Sequence, residues 1–191
     1  VISDIDDTIK ITQIPDGARV VMTNTLLREY LAVPEMAERY RSWPGAAFHY
    51  VSGGPWQLYR PLSEFLFSLE IGFPEGSFHM KNARKNLLHT DTWEDLTALV
   101  TNSNLTFEHK VQQIGEILGR FPQRRFILVG DSGEKDPEVY REMQRRFPRQ
   151  IQEILIRDLV DDRRHNSHRL EGMKIIPVPG RAGADSPAGG G

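Results

Sequence analysis

Short apolar runs alternate with helical patterns along most of this chain, and that order limits the fold more than any other feature. Residues 126–129 are all apolar, which is typical of a strand buried on both faces of a sheet. Residues 106–118 repeat apolar side chains at helical spacing, and Pro137 stands where a proline fits the first turn of the next helix. Strands and helices that alternate in this way predict an α/β fold with a mainly parallel central sheet.

The same patterns locate the other elements. Further strands are predicted at 1–5, 48–51, 77–80 and 151–156, and further helices at 23–30, 35–43, 57–70 and 138–147. A tight turn at Ser52-Gly53-Gly54 is predicted to join the strand 48–51 to its helix. The stretch 9–19 contains Pro15-Asp16-Gly17, which predicts a short flap over the end of the first strand.

Carboxylates cluster at the end of the first predicted strand. Asp4 and Asp6 are two residues apart, so their side chains point the same way from a strand. Two carboxylates that converge repel each other, and such a pair is tolerated when a divalent cation or a shared proton neutralises it. The stretch is therefore a candidate metal and acid–base site. Alternation turns Asp7 away from both, and we expect it to cap the following turn.

Two other predicted strands end in polar turns at the same edge of the sheet. Ser52-Gly53-Gly54 follows one of them, and Asp131 and Asp136 follow the other. In a parallel α/β sheet the carboxyl ends of the strands share one edge, where ligands bind. Each of these residues alone would be read as an ordinary turn residue. Their joint occurrence after suitable strands indicates a site.

The chemistry that this set suggests is phosphoryl transfer. Asp4 would attack the phosphate and form an aspartyl-phosphate, while Asp6 would protonate the leaving oxygen and then activate water. Ser52 would bind phosphate oxygens together with the amides of Gly53 and Gly54, which we place at a helix start.

Two cations would balance the carboxylates. Lys110, near the start of a predicted helix that faces the same edge, would neutralise the nucleophile and the phosphate. Mg²⁺ would be held by oxygens of Asp4 and Asp131 and by the backbone carbonyl of Asp6, because magnesium prefers about six oxygen ligands and keeps some waters. Thr8, at the turn, would hold Asp6 and the flap in place.

Composition limits the partners. The 191 residues suffice for one domain with a good core, and a formal net charge of −2 gives no general basic surface for nucleic acid. The absence of cysteine excludes disulfides, thiolate metal sites and a cysteine nucleophile. No apolar run reaches the roughly 18 residues of a membrane span, and no signal peptide is visible. Because the chain starts without Met inside a predicted strand, we expect a fragment of a longer protein.

These residues resemble the motifs of the haloacid dehalogenase-like phosphatase superfamily. The sequence Asp4-Ile5-Asp6-Asp7-Thr8 is similar to its D-x-D-x-[TV] first motif, Ser52 to the second, Lys110 to the third, and Asp131 with Asp136 to the fourth. Within the superfamily, residues 3–10, 50–59, 109–110, 130–137 and 156–158 are similar to the actin-patch-associated phosphatidate phosphatase catalytic domain, which is related to lipins. The resemblance covers about residues 1–160.

The resemblance implies a Rossmann-like three-layer sandwich that hydrolyses phosphatidate to diacylglycerol with Mg²⁺. The spacing between motifs leaves no room for a large cap. We assign the catalytic domain to residues 1–176, with a small insertion at 82–104, and expect a disordered tail at 177–191. The candidate residues are Asp4, Asp6 and Lys110 for catalysis, Thr8, Ser52, Gly53, Gly54 and Lys110 for substrate binding, and Asp4, Asp6, Asp131 and Asp136 for the metal.

Two alternatives stay open. The same residues would serve a soluble phosphomonoester or a phosphoprotein, because they handle the phosphate and not the leaving group. A non-catalytic phosphatidate-binding module is the other, although such sensors lose the carboxylates that this chain keeps. We expect a cytoplasmic protein in transient peripheral contact with membranes and no nucleic-acid partner. Trp56, beside the predicted phosphate loop, could touch a membrane, while packing on its own helix is the commoner role of such a residue.

Overall fold

One parallel sheet organises the protein. The computed structural model describes residues 1–12, 30–81 and 103–178. The strands are β1 (Ile2–Asp4), β2 (Phe48–Pro55), β3 (Gly76–Lys81), β4 (Phe126–Asp131), β5 (Ile151–Arg157) and β6 (Lys174–Ile176). They pair in the order β3-β2-β1-β4-β5-β6, and every neighbouring pair is parallel. The predicted α/β class is confirmed.

Helices connect these strands. They are α1 (Met36–Arg41), α2 (Tyr59–Leu66), α3 (Ser103–Arg120), α4 (Asp136–Arg146) and α5 (Asp162–His165), with short 3₁₀ turns at Trp56–Leu58 and Ser167–Leu170. The predicted helices 35–43, 106–118 and 138–147 therefore form within two or three residues of their expected bounds. Within the described ranges, no helix is long and apolar enough to cross a membrane.

The sheet separates two hydrophobic cores. Successive strand residues point to opposite faces, so Tyr50 and Val129 pack with α1 and α2, whereas Val51 and Leu128 pack with α3 and α4. All four side chains are almost fully buried. This arrangement, with helices on both faces, is consistent with the predicted three-layer sandwich.

The prediction for the end of β2 is wrong. The strand does not stop at Val51, because it continues to pair with β3 until Pro55 lies opposite Lys81, with an irregularity between Val51 and Pro55. Pro55 has φ −76° and ψ 151°, an extended conformation that proline accepts. The α-helix consequently begins at Tyr59 rather than residue 57 and ends at Leu66 rather than residue 70.

Several predictions lie wholly or mostly outside the described residues. They are the helix 23–30, most of the flap 9–19, most of the insertion 82–104, and most of the tail 177–191. The described part of the flap forms a short pairing in which Ile11 donates its backbone N–H to Leu31 and Val33 donates to Ile9. No helix or strand of the described residues forms a cap over the sheet. The prediction that the chain has no large cap stays a prediction for residues 13–29 and 82–102, which lie outside the described ranges.

Gly130 allows α4 to lie close against β4. A Cβ atom at this position would lie 2.7 Å from Cε2 of Tyr140 and closer still to Oδ2 of Asp136. Both neighbours are fully buried, so neither can move away into solvent. The glycine is therefore needed for close packing at the carboxyl end of β4, where the polar turn begins.

We expect Gly130→Ala to lower the free energy of unfolding by about 1–3 kcal/mol, the usual cost of overpacking a rigid interior. Chemical denaturation would measure it. Gly119→Ala in α3 is the control, because a Cβ there meets nothing within 4 Å and alanine favours a helix. Equal stability of Gly130→Ala and the wild type would contradict this account of the packing.

Candidate active site

A buried lysine contacts three carboxylates from two parts of the chain, the end of β1 and the turn after β4. The ammonium of Lys110, in α3, lies 2.6 Å from Oδ1 of Asp4, 2.5 Å from Oδ1 of Asp136 and 3.3 Å from Oε2 of Glu134. Lys110 is 2% exposed. Burial alone would lower its pKa, but the three carboxylates outweigh burial and raise the pKa well above the ordinary value. The lysine is therefore a fixed positive charge.

Asp4 is crowded and incompletely paired. Burial raises the pKa of its carboxyl well above the ordinary value, Lys110 opposes that effect, and Asp136 and Asp131 add to it. Neither oxygen of Asp4 makes a hydrogen bond with good angles within the described residues, although Oδ1 has the close ion pair with Lys110. Its buried Oδ2 atom accepts no hydrogen bond from the part of the chain that the structure describes, which is costly unless a ligand or cation completes the site.

Three carboxylates could hold a cation. Single oxygens of Asp4, Asp131 and Asp136 lie within 4.8 Å of one another, and all three residues are buried. Asp131 accepts hydrogen bonds from the Thr8 hydroxyl at 3.1 Å and the Gly133 amide at 2.7 Å. Burial and the charge of Asp136 raise the pKa of Asp131, as expected for like charges held together. The Thr8 hydroxyl thus contacts Asp131, where the sequence suggested Asp6.

Asp6 occupies a different environment from Asp4. Its Oδ1 accepts a hydrogen bond from the Thr12 hydroxyl at 2.8 Å and lies 3.4 Å from the Lys10 ammonium, and its Oδ2 accepts one from the Ser52 hydroxyl at 3.0 Å. Burial would raise the pKa of Asp6, but the charge of Lys10 and these hydrogen bonds outweigh burial and lower it. Two neighbouring carboxylates therefore have pKa values shifted in opposite directions, a pattern typical of acid–base sites.

Ser52 connects β2 to the loop after β1. Its hydroxyl bonds to Asp6 and also accepts the amide hydrogen of Gly54 at 2.9 Å. Gly53 packs closely on Thr106 of α3, because a Cβ there would lie 2.8 Å from the Thr106 methyl. The residues 52–54 belong to β2 and stand before, not at, a helix start, so the helix-terminus argument for their amides is wrong.

Asp7 and Arg157 fix the loop after β1. Asp7 has φ 57°, in the left-handed region, and its carboxylate accepts the Thr12 amide at 2.6 Å. This bond confirms the expected capping role of Asp7. The guanidinium of Arg157, at the end of β5, donates to the backbone carbonyl of Asp7. The buried arginine thereby supports an unfavourable backbone conformation directly after Asp6.

Four charged side chains at the site were not selected from the sequence. Glu134 lies beside Lys110, Lys10 beside Asp6, and Arg157 against the loop after β1. Lys81 donates to the Thr106 hydroxyl at 2.9 Å, and burial with the charge of Lys110 lowers its pKa to about 8 despite Glu134. Glu134 and Lys10 occur in the motif stretches, but motif spacing gave no signal that their side chains are buried.

Comparison with known proteins identifies the family. The family described as "Phosphatidate phosphatase APP1, catalytic domain" matches residues 1–158, a range that contains every candidate site residue. The chain belongs to this APP1 catalytic-domain family. The resemblance stated from the motifs is thereby confirmed.

Two fungal proteins are similar to this APP1-family chain. Phosphatidate phosphatase APP1 of Saccharomyces cerevisiae is 34% identical over 161 residues, which are 82% of this chain and 25% of that protein. The uncharacterized protein C29B5.04c of Schizosaccharomyces pombe is 30% identical over 168 residues, 85% of this chain and 25% of that protein. The chain thus spans about a quarter of the length of each relative. No solved structure matches it significantly.

Proposed function

We propose that this domain is a Mg²⁺-dependent phosphatase that hydrolyses phosphatidate to diacylglycerol through an aspartyl-phosphate. One observation carries the proposal: buried Asp4 lies beside the fixed charge of Lys110 with one oxygen that has no polar partner among the described residues. A buried carboxylate with an open oxygen and an adjacent cation suits attack on phosphorus. Membership of the APP1 family supports phosphatidate as the substrate.

The reaction needs two carboxylates with separate roles. A carboxylate oxygen of Asp4 forms a bond to phosphorus while the bond from phosphorus to the ester oxygen breaks, and the leaving oxygen takes a proton from Asp6. Asp6 then removes a proton from a water molecule as that water attacks the phosphorus of the aspartyl-phosphate. Inorganic phosphate leaves, and the Asp4 carboxylate is restored.

The environment of Asp6 supports both halves of this cycle. Its pKa is lowered in the substrate-free protein, so at neutral pH it is ionised and suited to act as a base. A phosphate dianion bound beside Ser52 adds negative charge next to Asp6 and so raises the pKa of that carboxyl. Substrate binding therefore favours the protonated form that the first step needs.

The residues of the site suit a magnesium ion. Hard carboxylate oxygens of Asp4, Asp131 and Asp136 lie within 4.8 Å of one another, and Oδ2 of Asp4 accepts no hydrogen bond from the described residues. Asp4, Asp131 and the backbone carbonyl of Asp6 would hold the ion, with Asp136 kept nearby by Lys110. When bound, Mg²⁺ would neutralise the crowded carboxylates and polarise the phosphate.

Exposed aromatic side chains support the proposal of transient membrane contact. Trp56 is 46% exposed and Tyr59 is 44% exposed, and both follow the carboxyl end of β2, the strand that contains Ser52. Their rings meet edge to face at 5.0 Å. One part of the Trp56 ring thus packs on Tyr59, and the rest is exposed to solvent. An exposed tryptophan of this kind suits a peripheral domain that contacts its lipid substrate from the cytoplasmic side.

Substrate preference tests the proposed function most directly. We expect phosphate release from phosphatidate in mixed micelles to exceed that from soluble phosphomonoesters in the presence of Mg²⁺. Phosphate release across a panel of both kinds, at matched concentrations, would measure the preference. Faster release from the soluble esters would overturn the lipid assignment and keep the phosphatase assignment. Liposome binding without any turnover would instead indicate a lipid-binding module.

We expect Asp4→Asn to lower kcat by at least about 10³-fold on every substrate, because an amide oxygen cannot form the covalent intermediate. Steady-state phosphate release and acid-stable capture of radiolabelled phosphate on the protein would measure the loss. Asp161→Asn provides the same chemical change at a partly exposed carboxylate outside the site. Retained turnover in Asp4→Asn would contradict the nucleophile assignment.

Metal binding can be tested apart from turnover. We expect Mg²⁺ to raise the Tm of the wild type, because the ion binds carboxylates that are assembled only in the folded state. Asp131→Asn should lose most of this increase, while Glu64→Gln, a charge change at an exposed position of α2, should keep it. Thermal denaturation with Mg²⁺ or with EDTA would measure both. An equal increase in all three proteins would rule out the proposed site.

A further inference from the structure

Lys10 is a buried cation that the proposed reaction does not yet use. The residue is 0% exposed, and its ammonium lies 2.9 Å from the Thr12 hydroxyl, 3.4 Å from Oδ1 of Asp6 and 4.9 Å from the centre of the Tyr30 ring. A lysine that is buried without a function is rare, because removing an ammonium from water is costly. Two of these neighbours, the Lys10 ammonium and the Thr12 hydroxyl, lie at Oδ1 of Asp6.

These contacts distinguish the two oxygens of Asp6. Oδ1 is the acceptor for Thr12 and the neighbour of Lys10, while Oδ2 accepts the Ser52 hydroxyl. Ser52 is also the candidate phosphate-binding side chain. The oxygen held by Lys10 and Thr12 is therefore on the side of residues 10–12, and the other oxygen is on the side of the candidate phosphate-binding Ser52.

Backbone pairing holds Lys10 in place. Ile9 and Ile11, on either side, pair with Val33 and Leu31 through hydrogen bonds of 2.8 Å. Thr12 closes the turn by donating its amide to Asp7. Lys10 thus reaches Asp6 from a short two-stranded segment with little freedom, which suits a group whose task is to orient another side chain.

We propose that Lys10, assisted by Thr12, is a positioning residue that fixes the Asp6 carboxylate so that Oδ2 is the oxygen that exchanges a proton with the leaving group. This inference rests on the proposed role of Asp6 in phosphoester hydrolysis. Lys10 takes no part in the bond changes, since the proton moves between Oδ2 of Asp6 and the ester oxygen. If Asp6 were misplaced, Asp4 could still attack the phosphorus. A basic leaving group would depart slowly, because its oxygen would not be protonated.

The dependence on the leaving group tests this role. An alkyl phosphate such as short-chain phosphatidate needs a proton on its leaving oxygen, whereas p-nitrophenyl phosphate releases a stable anion. We expect Lys10→Met to lower kcat/KM for short-chain phosphatidate by about 10- to 100-fold and that for p-nitrophenyl phosphate by less than about threefold. The value kcat/KM is used because it reports on steps up to leaving-group departure and excludes the later hydrolysis of the intermediate.

Matched variants separate positioning from general damage. Lys174→Met makes the same change at an exposed lysine of β6 and should alter neither value. Thr12→Val should follow Lys10→Met with a smaller effect, and Thr12→Ser should restore most of the alkyl activity because it keeps the hydroxyl. Thr12→Val also serves if Lys10→Met does not fold. An equal loss on the alkyl and aryl substrates would overturn the proposal, because simple loss of structure affects both alike.

A crystal structure gives a readout that does not depend on turnover. In Lys10→Met, or in Thr12→Val, we expect Asp6 to rotate and Oδ2 to leave the Ser52 hydroxyl, which lies 3.0 Å away in the wild type. An unchanged Asp6 in both variants would contradict the inference. If the wild type hydrolyses neither ester, the proposed function fails, while this comparison still decides whether Lys10 positions Asp6.

Discussion

The ammonium of Lys110 is the interaction on which the site depends. It lies within 3.3 Å of carboxylate oxygens from Asp4, Glu134 and Asp136, and it is almost completely buried. Without it, like charges from β1 and the turn after β4 would face each other with little water to separate them. A single lysine cannot neutralise this group of acids. The remaining negative charge is what makes the site suited to a cation and, with the cation bound, to a phosphate.

The position of β1 determines which groups can meet. This strand lies between β2 and β4, so the polar residues that follow the three strands come together at one edge of the sheet. From β1 the chain continues to β2 and β3 on one side, and then crosses to β4 on the other side of β1. A change of direction of this kind opens a crevice at the carboxyl edge of a parallel α/β sheet. Asp4, Ser52 and Asp131 therefore come from separate parts of the sequence, and the register of the sheet sets their separation.

The sequence was informative where residue type and element type point the same way. Asp4 and Asp131 follow apolar runs, so the sheet edge and their place on it were predictable, as was the helix that carries Lys110. The end of β2 was mispredicted because Ser52-Gly53-Gly54-Pro55 has turn composition locally, while pairing with β3 keeps it extended. Lys10 was missed because a lysine between two isoleucines suggests a surface position, and its contact with Tyr30, which is distant in the sequence, could not be foreseen.

The contact between Arg157 and Asp7 extends the site beyond the four motifs. The two residues are 150 positions apart, yet the Arg157 side chain donates a hydrogen bond to the backbone carbonyl of Asp7, the residue after Asp6. The loop after β1 is therefore supported from the end of β5, although the last motif carboxylate is Asp136. The family match extends to residue 158, one position beyond the arginine. The family match therefore includes a backbone support that β5 provides, beyond the last motif carboxylate.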